Sequence, residues 1–384
     1  MSDIFIITAV FTVSFLLTGL FISGILRFSF RNRIFDTHDD RKLHRGDVPR
    51  LGGLSFVPAI VIAISFVYAL TGILGNIFPA LSTARVFFES HIPGASLLPL
   101  SVTICAMGLL YLTGMADDLS GLRYQTKFMA QLAAGILIAA GGFRIETLSG
   151  VFNVYTLSPL ASYALTIFIV VFVTNAINLI DGIDGLASGL SAIAMALYAI
   201  IFISCGDLTG AILATAALGT LIPFFCYNSF GSIASHRKIF MGDTGSLTTG
   251  LLLSFLAIRL CGYEGQFSSS ADIIVAAFSP LAIPCLDVVR VFFHRITRGR
   301  SPFLPDRIHI HHKLMLIGLS SKATMVLLLC MSVAVAAANI LLSTTISIPA
   351  IIAIDISLWI ALNLLLTHRI RTLQHSGAIP NDYD

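Results

Sequence analysis

The chain has 384 residues, of which 56% are hydrophobic and only 11% charged, with a formal net charge of +3 and a mean hydropathy of +0.91. A soluble domain carries roughly 25% charged residues, so this composition excludes an ordinary soluble enzyme, a disordered chain and a nucleic-acid binder. Most of the length must sit in lipid.

A helix needs roughly 20 mostly apolar residues to cross a bilayer. Eleven runs qualify: 4–26, 53–75, 97–115, 128–142, 159–178, 185–204, 208–226, 247–262, 273–293, 323–343 and 348–367. The first follows Met1-Ser2-Asp3, with no basic segment before it, and is too long for a cleaved signal peptide. It is read as a mature span. The expected fold is an all-α polytopic membrane protein with about eleven transmembrane helices. No polar stretch is long enough for a second soluble domain, so residues 1–384 form one membrane-embedded unit with active loops at about 27–52, 116–127, 175–186, 227–246 and 294–322. Six scattered cysteines, without any metal-type spacing, read as small buried hydrophobes.

Alternating loops allow the basic residues to be tallied by side. One side holds 19 of the 23 lysines and arginines, Arg290 lies at its edge, and the other side holds only Arg85, Arg144 and Arg259. Basic loops stay in the cytoplasm, which predicts an N-terminus outside and a C-terminus inside.

The acids carry the functional signal. Asp117, Asp118, Asp181, Asp184 and Asp243 all fall at the cytoplasmic ends of predicted spans. Ionisable groups at a span are costly and usually functional. Each could be a polar end-cap, but five on one face would repel one another and call for a cation. Mg²⁺, or Mn²⁺ in its place, suits carboxylate oxygen beside substrate phosphates.

Four stretches and a basic loop carry this chemistry. Gly114 to Lys127 contains the Asp117–Asp118 pair, and Lys127 stands at a helix start, where a cation is disfavoured unless an anion is near. In Asn175-Ala-Ile-Asn-Leu-Ile-Asp-Gly-Ile-Asp-Gly-Leu186 the polar groups Asn175, Asn178, Asp181 and Asp184 recur every third residue, which stacks them along one face if helical. Lys238-Ile-Phe-Met-Gly-Asp-Thr-Gly-Ser246 leads into a span whose start could bind phosphate, and Phe240 either stacks on a base or dips into the interface. Pro305-Asp-Arg-Ile-His-Ile-His-His-Lys313 gathers Arg307, His309, His311 and His312, which suit an anion better than zinc because no cysteine is near. The loop Arg41 to Gly53, with Pro49 and Gly52-Gly53, reads as a shaped turn.

In this order the motifs DDxxxLxxxxK, NxxNxxDGxDGL, FMGDxGS and HIHH resemble those of the polyprenyl-phosphate N-acetylhexosamine-1-phosphate transferases, and HIHH resembles the GlcNAc-1-phosphate branch. The match runs from about Lys42 to Lys313. The resemblance implies that GlcNAc-1-phosphate passes from UDP-GlcNAc to undecaprenyl phosphate with release of UMP, at the cytoplasmic face of a bacterial inner membrane. It implies that Asp243 and Asn178 hold Mg²⁺, and that Asp117, Asp118 and Asp181 are catalytic. Lys127 would meet a phosphate, Lys42 would match the substrate-binding lysine of the family's first loop, Asp184 and Phe240 would meet the nucleotide, and Arg307, His309, His311 and His312 the sugar and its phosphate. Asn228 is the match to a loop asparagine of the family, although residues 229–236 look like an insertion after it. Another UDP-N-acetylhexosamine donor is the alternative within the family. A polytopic transporter is the alternative outside it, but transporters place charges at the bilayer midplane, whereas these acids sit at one face.

Overall fold

The computed structural model describes residues 2–35, 48–77, 97–151, 153–262, 270–299, 301 and 308–378. In chain order the helices are α1 (Ser2–Asn32), α2 (Phe56–Ile77), α3 (Leu97–Ser120), α4 (Tyr124–Ala140), α5 (Pro159–Ile180), α6 (Leu186–Ser204), α7 (Leu208–Phe230), α8 (Gly242–Cys261), α9 (Ser270–Phe278), α10 (Ala282–Thr297), α11 (Ile310–Leu316), α12 (Ser321–Ser343) and α13 (Ile348–His375). Among the described residues ten stretches are long and apolar enough to cross a membrane. The eleventh expected run, 128–142, is α4, whose 17 residues span about 25 Å at 1.5 Å each, near the lower limit for crossing. The protein is thus an all-α, multi-pass membrane protein.

Two features depart from the sequence reading. The expected single span 273–293 is broken into α9 and α10 by a 3-10 turn, Ser279–Leu281. Pro280 and Pro284 explain the break, since neither can donate a helical hydrogen bond. The segment after α4 contains a small antiparallel hairpin, Thr147–Val151 with Val154–Thr156, too short to show in hydropathy.

Helix α8 is the axis of the bundle. Nearly all of its residues are buried, and it packs against α3 and α5, while α7 packs against α1 and α6. One continuous apolar core draws on nearly every helix. By contrast α12 and α13 leave most of their surface outward, and exposed side chains such as Leu341, Leu358 and Leu364 suit lipid. A buried axis with an apolar sheath lets α8 present its first turn, which carries Asp243, from a fixed position at one end of the bundle.

Candidate active site

The first turn of α8 is held by a neighbouring helix. Asp118, near the end of α3, accepts the Asp243 N–H on Oδ1 (2.7 Å) and both the N–H and the hydroxyl of Thr244 on Oδ2 (2.9 and 2.6 Å). A helix start leaves such amides without partners, and a carboxylate there gains from the macrodipole. Gly242 makes the approach possible: its φ is +68°, and a Cβ would lie 2.6 Å from both Asp118 oxygens. The strand-like segment before α8 is fixed too. Phe240 donates its N–H to the Pro49 carbonyl, while Gly52 and Gly53 donate to the carbonyls of Phe240 and Met241 (2.8, 3.0 and 2.9 Å). The shaped turn expected at Pro49 and Gly52-Gly53 is therefore a clamp on the Asp243 loop.

The carboxyl of Asp243 faces two partners. Lys127 Nζ lies 2.5 Å from Oδ2, and the Asn178 amide donates to Oδ1 at 2.8 Å and to Ser246 Oγ at 2.8 Å. The same ammonium reaches Asp117 Oδ2 at 3.3 Å, and Asp117 Oδ1 accepts the Leu122 N–H. Lys127 thus sits between two carboxylates contributed by α3 and α8. Asn175, three residues before Asn178, pairs with Gln131 and turns away from this group.

Asp181 stands just beyond α5 and keeps part of its surface open. Burial, followed by the charges of Asp243, Asp184 and Asp118, pushes its carboxyl up to about 7, with Arg50 opposing. Asp184 is paired with Lys238 (2.6 Å). Lys238 also donates to the Asn228 carbonyl (2.5 Å). The Asn228 side chain bridges the Gly185 N–H (2.5 Å) and the Ile239 carbonyl (2.8 Å). It ties the Asp181–Asp184 loop to the segment carrying Phe240, and is buried in doing so. Phe240 itself is half-buried.

The histidines approach from the other side. Asp287 of α10 is fully buried and organises them: His309 Nδ1 lies 2.7 Å from Oδ2, while Arg290 Nη2 (2.9 Å) and the Ile310 N–H (3.1 Å) meet Oδ1. Arg290, three residues after Asp287 on α10, also donates to the Ile308 carbonyl (2.5 Å), so the pair fixes the segment that leads into α11. His311 is buried with both ring nitrogens unpartnered. It packs against the Asp181–Asp184 loop, where a Cβ on Gly182 would collide with its Nε2. Burial, then the proximity of His312 and His309, holds its imidazole well below the usual pKa and so neutral. The rings of His311 and His312 lie 4.2 Å apart. Lys313 reaches Thr367 and Asn363 of α13 (3.0 and 3.3 Å), and burial pushes its ammonium down to about 8.

The structure therefore brings together Asp117, Asp118, Lys127, Asn178, Asp181, Asp184, Asn228, Asp243 and, through Gly182, the histidine helix. Lys42 and Arg307 lie outside the described residues. Arg50, Lys238, Asp287 and Arg290 were not singled out from the sequence as site residues. An acid and a base three apart inside an apolar run were the signal for Asp287 and Arg290.

The carboxylates offer hard oxygen donors, and the cation position between Asp117 and Asp243 is taken by an ammonium. The described residues contain no group of three or more metal-type side chains close enough to hold an ion unaided. An ion held here would need phosphate or water oxygens besides, as Mg²⁺ usually takes.

The profile of glycosyl transferase family 4 matches residues 100–261, the segment from α3 to the end of α8. A probable undecaprenyl-phosphate N-acetylglucosaminyl 1-phosphate transferase of Bacillus subtilis (strain 168) is 31% identical over 363 residues, covering 94% of this chain and 88% of the relative. The undecaprenyl-phosphate alpha-N-acetylglucosaminyl 1-phosphate transferase of Escherichia coli (strain K12) is 30% identical over 317 residues, 82% of this chain and 78% of the relative. Its counterpart in Yersinia pestis is 29% identical over the same shares. With the carboxylate group inside the matched segment and the likeness running through the histidine helix, the chain belongs to the family of the undecaprenyl-phosphate N-acetylglucosaminyl 1-phosphate transferases.

Proposed function

We propose that the protein transfers N-acetylglucosamine 1-phosphate from UDP-GlcNAc to undecaprenyl phosphate and releases UMP. The observation that carries this reading is the gathering of Asp117, Asp181, Asp184 and Asp243 with Lys127 and Lys238 at one end of a lipid-facing bundle. The relatives' names supply the substrates. An oxygen of the lipid phosphate attacks the sugar-side phosphorus, one P–O bond forms, and the P–O bond to UMP breaks. A phosphate monoester has a second pKa near 6, so it is about nine-tenths ionised at pH 7 and needs no strong base. Catalysis is then positioning and charge neutralisation.

Each residue takes a part in that scheme. Asp117, Asp243 and the Asn178 side chain would hold Mg²⁺, which when bound neutralises phosphate charge and orients the pyrophosphate. Lys127, released from its two carboxylates, meets a phosphate. Asp118 positions Asp243 through the backbone of α8. The Asp184–Lys238 pair and Phe240 line the nucleotide side, with Asn228 holding that wall. Neutral His311, its ring nitrogens unpartnered, turns to the sugar phosphate with His309 and His312. The basic-loop tally puts this end of the bundle in the cytoplasm, where nucleotide sugars are, in a bacterial inner membrane.

The test is UMP release by the purified protein given Mg²⁺, undecaprenyl phosphate and a panel of UDP-sugars, with and without EDTA. The reading expects UDP-GlcNAc to be the best donor and chelation to stop turnover. No UMP from any UDP-sugar would overturn it in favour of a transporter.

A further inference from the structure

Positive residues are rare on the membrane face opposite the carboxylates. The sequence assigns that face three, Arg85, Arg144 and Arg259, and two of them line one cavity. Its volume is about 460 Å³, and it is bounded by Gly142, Phe143, Arg144, Gly206, Asp207 and Arg259 among others. Helix α4 sets the separation from the active site, because Lys127 stands in its first turn and the cavity lies past its far end, about 20 Å away at 1.5 Å per residue.

The two arginines differ in how they are used. Arg259 makes a bidentate pair with Asp207 (2.7 and 2.9 Å), and Asp207 also caps α7 through the Gly210 N–H (3.0 Å). This pair is explained by the fold. Arg144 is not. Among the described residues its ion-pair partner is Glu146, which is 65% exposed, on Nη2 at 2.5 Å, and exposed pairs hold weakly. Its guanidinium is steadied by the Tyr163 ring, 4.7 Å away, and its Nε is buried without an acceptor. A buried donor left unmade is costly.

The cavity is also built with room beside the guanidinium. Gly142 (φ +91°) and Gly206 (φ +73°) have nothing within 4 Å of where a Cβ would stand. Three helices, α4, α6 and α8, end here. Their last carbonyls are met by the amides of Gly141, Phe143, Cys205, Gly206, Asp207 and Gly262, so the negative helix ends are largely satisfied within the chain. Among the lining side chains, the buried donor left without an acceptor is the Arg144 Nε. Guanidinium forks match phosphate oxygens. Tyr163, whose exposed ring steadies Arg144, is of a type enriched at membrane interfaces.

We propose that this cavity binds a phosphate-class anion, the phosphodiester of a lipid headgroup or a free phosphate, through Arg144 with Arg259 beside it. The test uses the full-length protein, stripped of lipid in detergent, with three probes: phosphatidylglycerol, inorganic phosphate and phosphate-free diacylglycerol. Native mass spectrometry counts what is retained, and a cooperative melting transition checks the fold. Wild type should hold phosphatidylglycerol at one site that Arg144→Gln binds about tenfold more weakly, as for one lost charge-assisted hydrogen bond. An Arg144-dependent response to inorganic phosphate alone also supports the site and names a soluble anion. Equal retention of every probe by wild type and variant overturns the proposal, as does diacylglycerol binding as well as phosphatidylglycerol. If Arg144→Gln does not fold, Arg144→Lys, which keeps the charge and loses the fork, should still bind phosphatidylglycerol more weakly than wild type, by a smaller factor, and retention equal to wild type would overturn the proposal.

Discussion

The carboxylate group and the histidine helix are both built around one aspartate that faces inward, yet they are built differently. In the first, Asp118 is consumed by three donors of α8, two of them backbone amides, and the acids around it, Asp117, Asp243 and Asp184, meet lysine ammonium groups instead. In the second, Asp287 is consumed by His309, Arg290 and the Ile310 amide, and what stays available is a neutral imidazole, His311. One region is thus short of positive charge and suits a cation with a phosphate. The other is balanced and suits a neutral or anionic sugar phosphate. Chemical type alone does not tell an anchor from a reactive group: Asp117 and Asp118 are neighbours in sequence with opposite employment.

The sharpest way to break this comparison is to remove one acid of each kind. Asp243→Asn loses the nearer of the two carboxylate partners of Lys127 and one of the groups proposed to hold Mg²⁺. Turnover should fall by several kcal/mol of transition-state stabilisation, about a thousandfold or more, with melting little changed. Asp118→Asn should also lose turnover, but with about 1–2 kcal/mol less stability, the worth of a helix cap. Equal melting temperatures for the two variants would remove the distinction between anchor and reactive acid. On the other side, Asp287→Ala leaves Arg290 and His309 without their buried acceptor, and breaking such a pair costs about 3–5 kcal/mol. Calorimetry or detergent melting reads that loss. Retained stability would mean that the α10–α11 corner is held by apolar packing instead.

A smaller change separates the regions at their contact. Gly182→Ala puts a methyl group into His311 Nε2, so the ring must move while Asp181 and Asp184 stay near their places. The expected result is a rise of about tenfold in KM for UDP-GlcNAc, comparable to one displaced hydrogen bond, with kcat reduced less. Unchanged kinetics would place the sugar away from His311.

Much of this was legible in the residues. Span positions follow from hydropathy because lipid contact imposes it directly, and each of the eleven runs is helical, with 273–293 divided between two helices. The acids were visible because a carboxylate at a span end has few innocent reasons to be there. What sequence could not show is direction. Asp118 was grouped with Asp117 because adjacency hides that α3 turns one side chain toward the α8 backbone and the other toward Lys127. Asn228 was grouped with substrate-binding residues, yet both ends of its amide bond backbone. Asp287 was passed over inside an apolar run, although its burial makes it the organiser of His309. The break at Pro280 was lost because hydropathy averages across it. Each of these turns on a long-range contact, and spacing along the chain carries no information about which distant backbone amide a side chain will meet.

The smallest expected effect concerns Asp181, and it tests whether the carboxylate region is short of positive charge as the comparison requires. Its folded carboxyl titrates near 7 against an ordinary 3.8. Between those values the folded state holds a proton that the unfolded state has released. Linkage then makes stability fall as pH rises through this window: the favourable contribution is complete below the unfolded value and gone above the folded one. In EDTA the wild-type melting temperature should drop by about 2 °C more between about pH 5 and about pH 8 than that of Asp181→Asn, a modest slope for a chain of this size. Added Mg²⁺ should shrink the difference, because a cation held by Asp117 and Asp243 would offset the Asp243 charge that helps raise the Asp181 carboxyl. Parallel melting curves for wild type and Asp181→Asn in EDTA would mean that water already screens these acids from one another. The imbalance that sets this region apart from the histidine helix would then be absent.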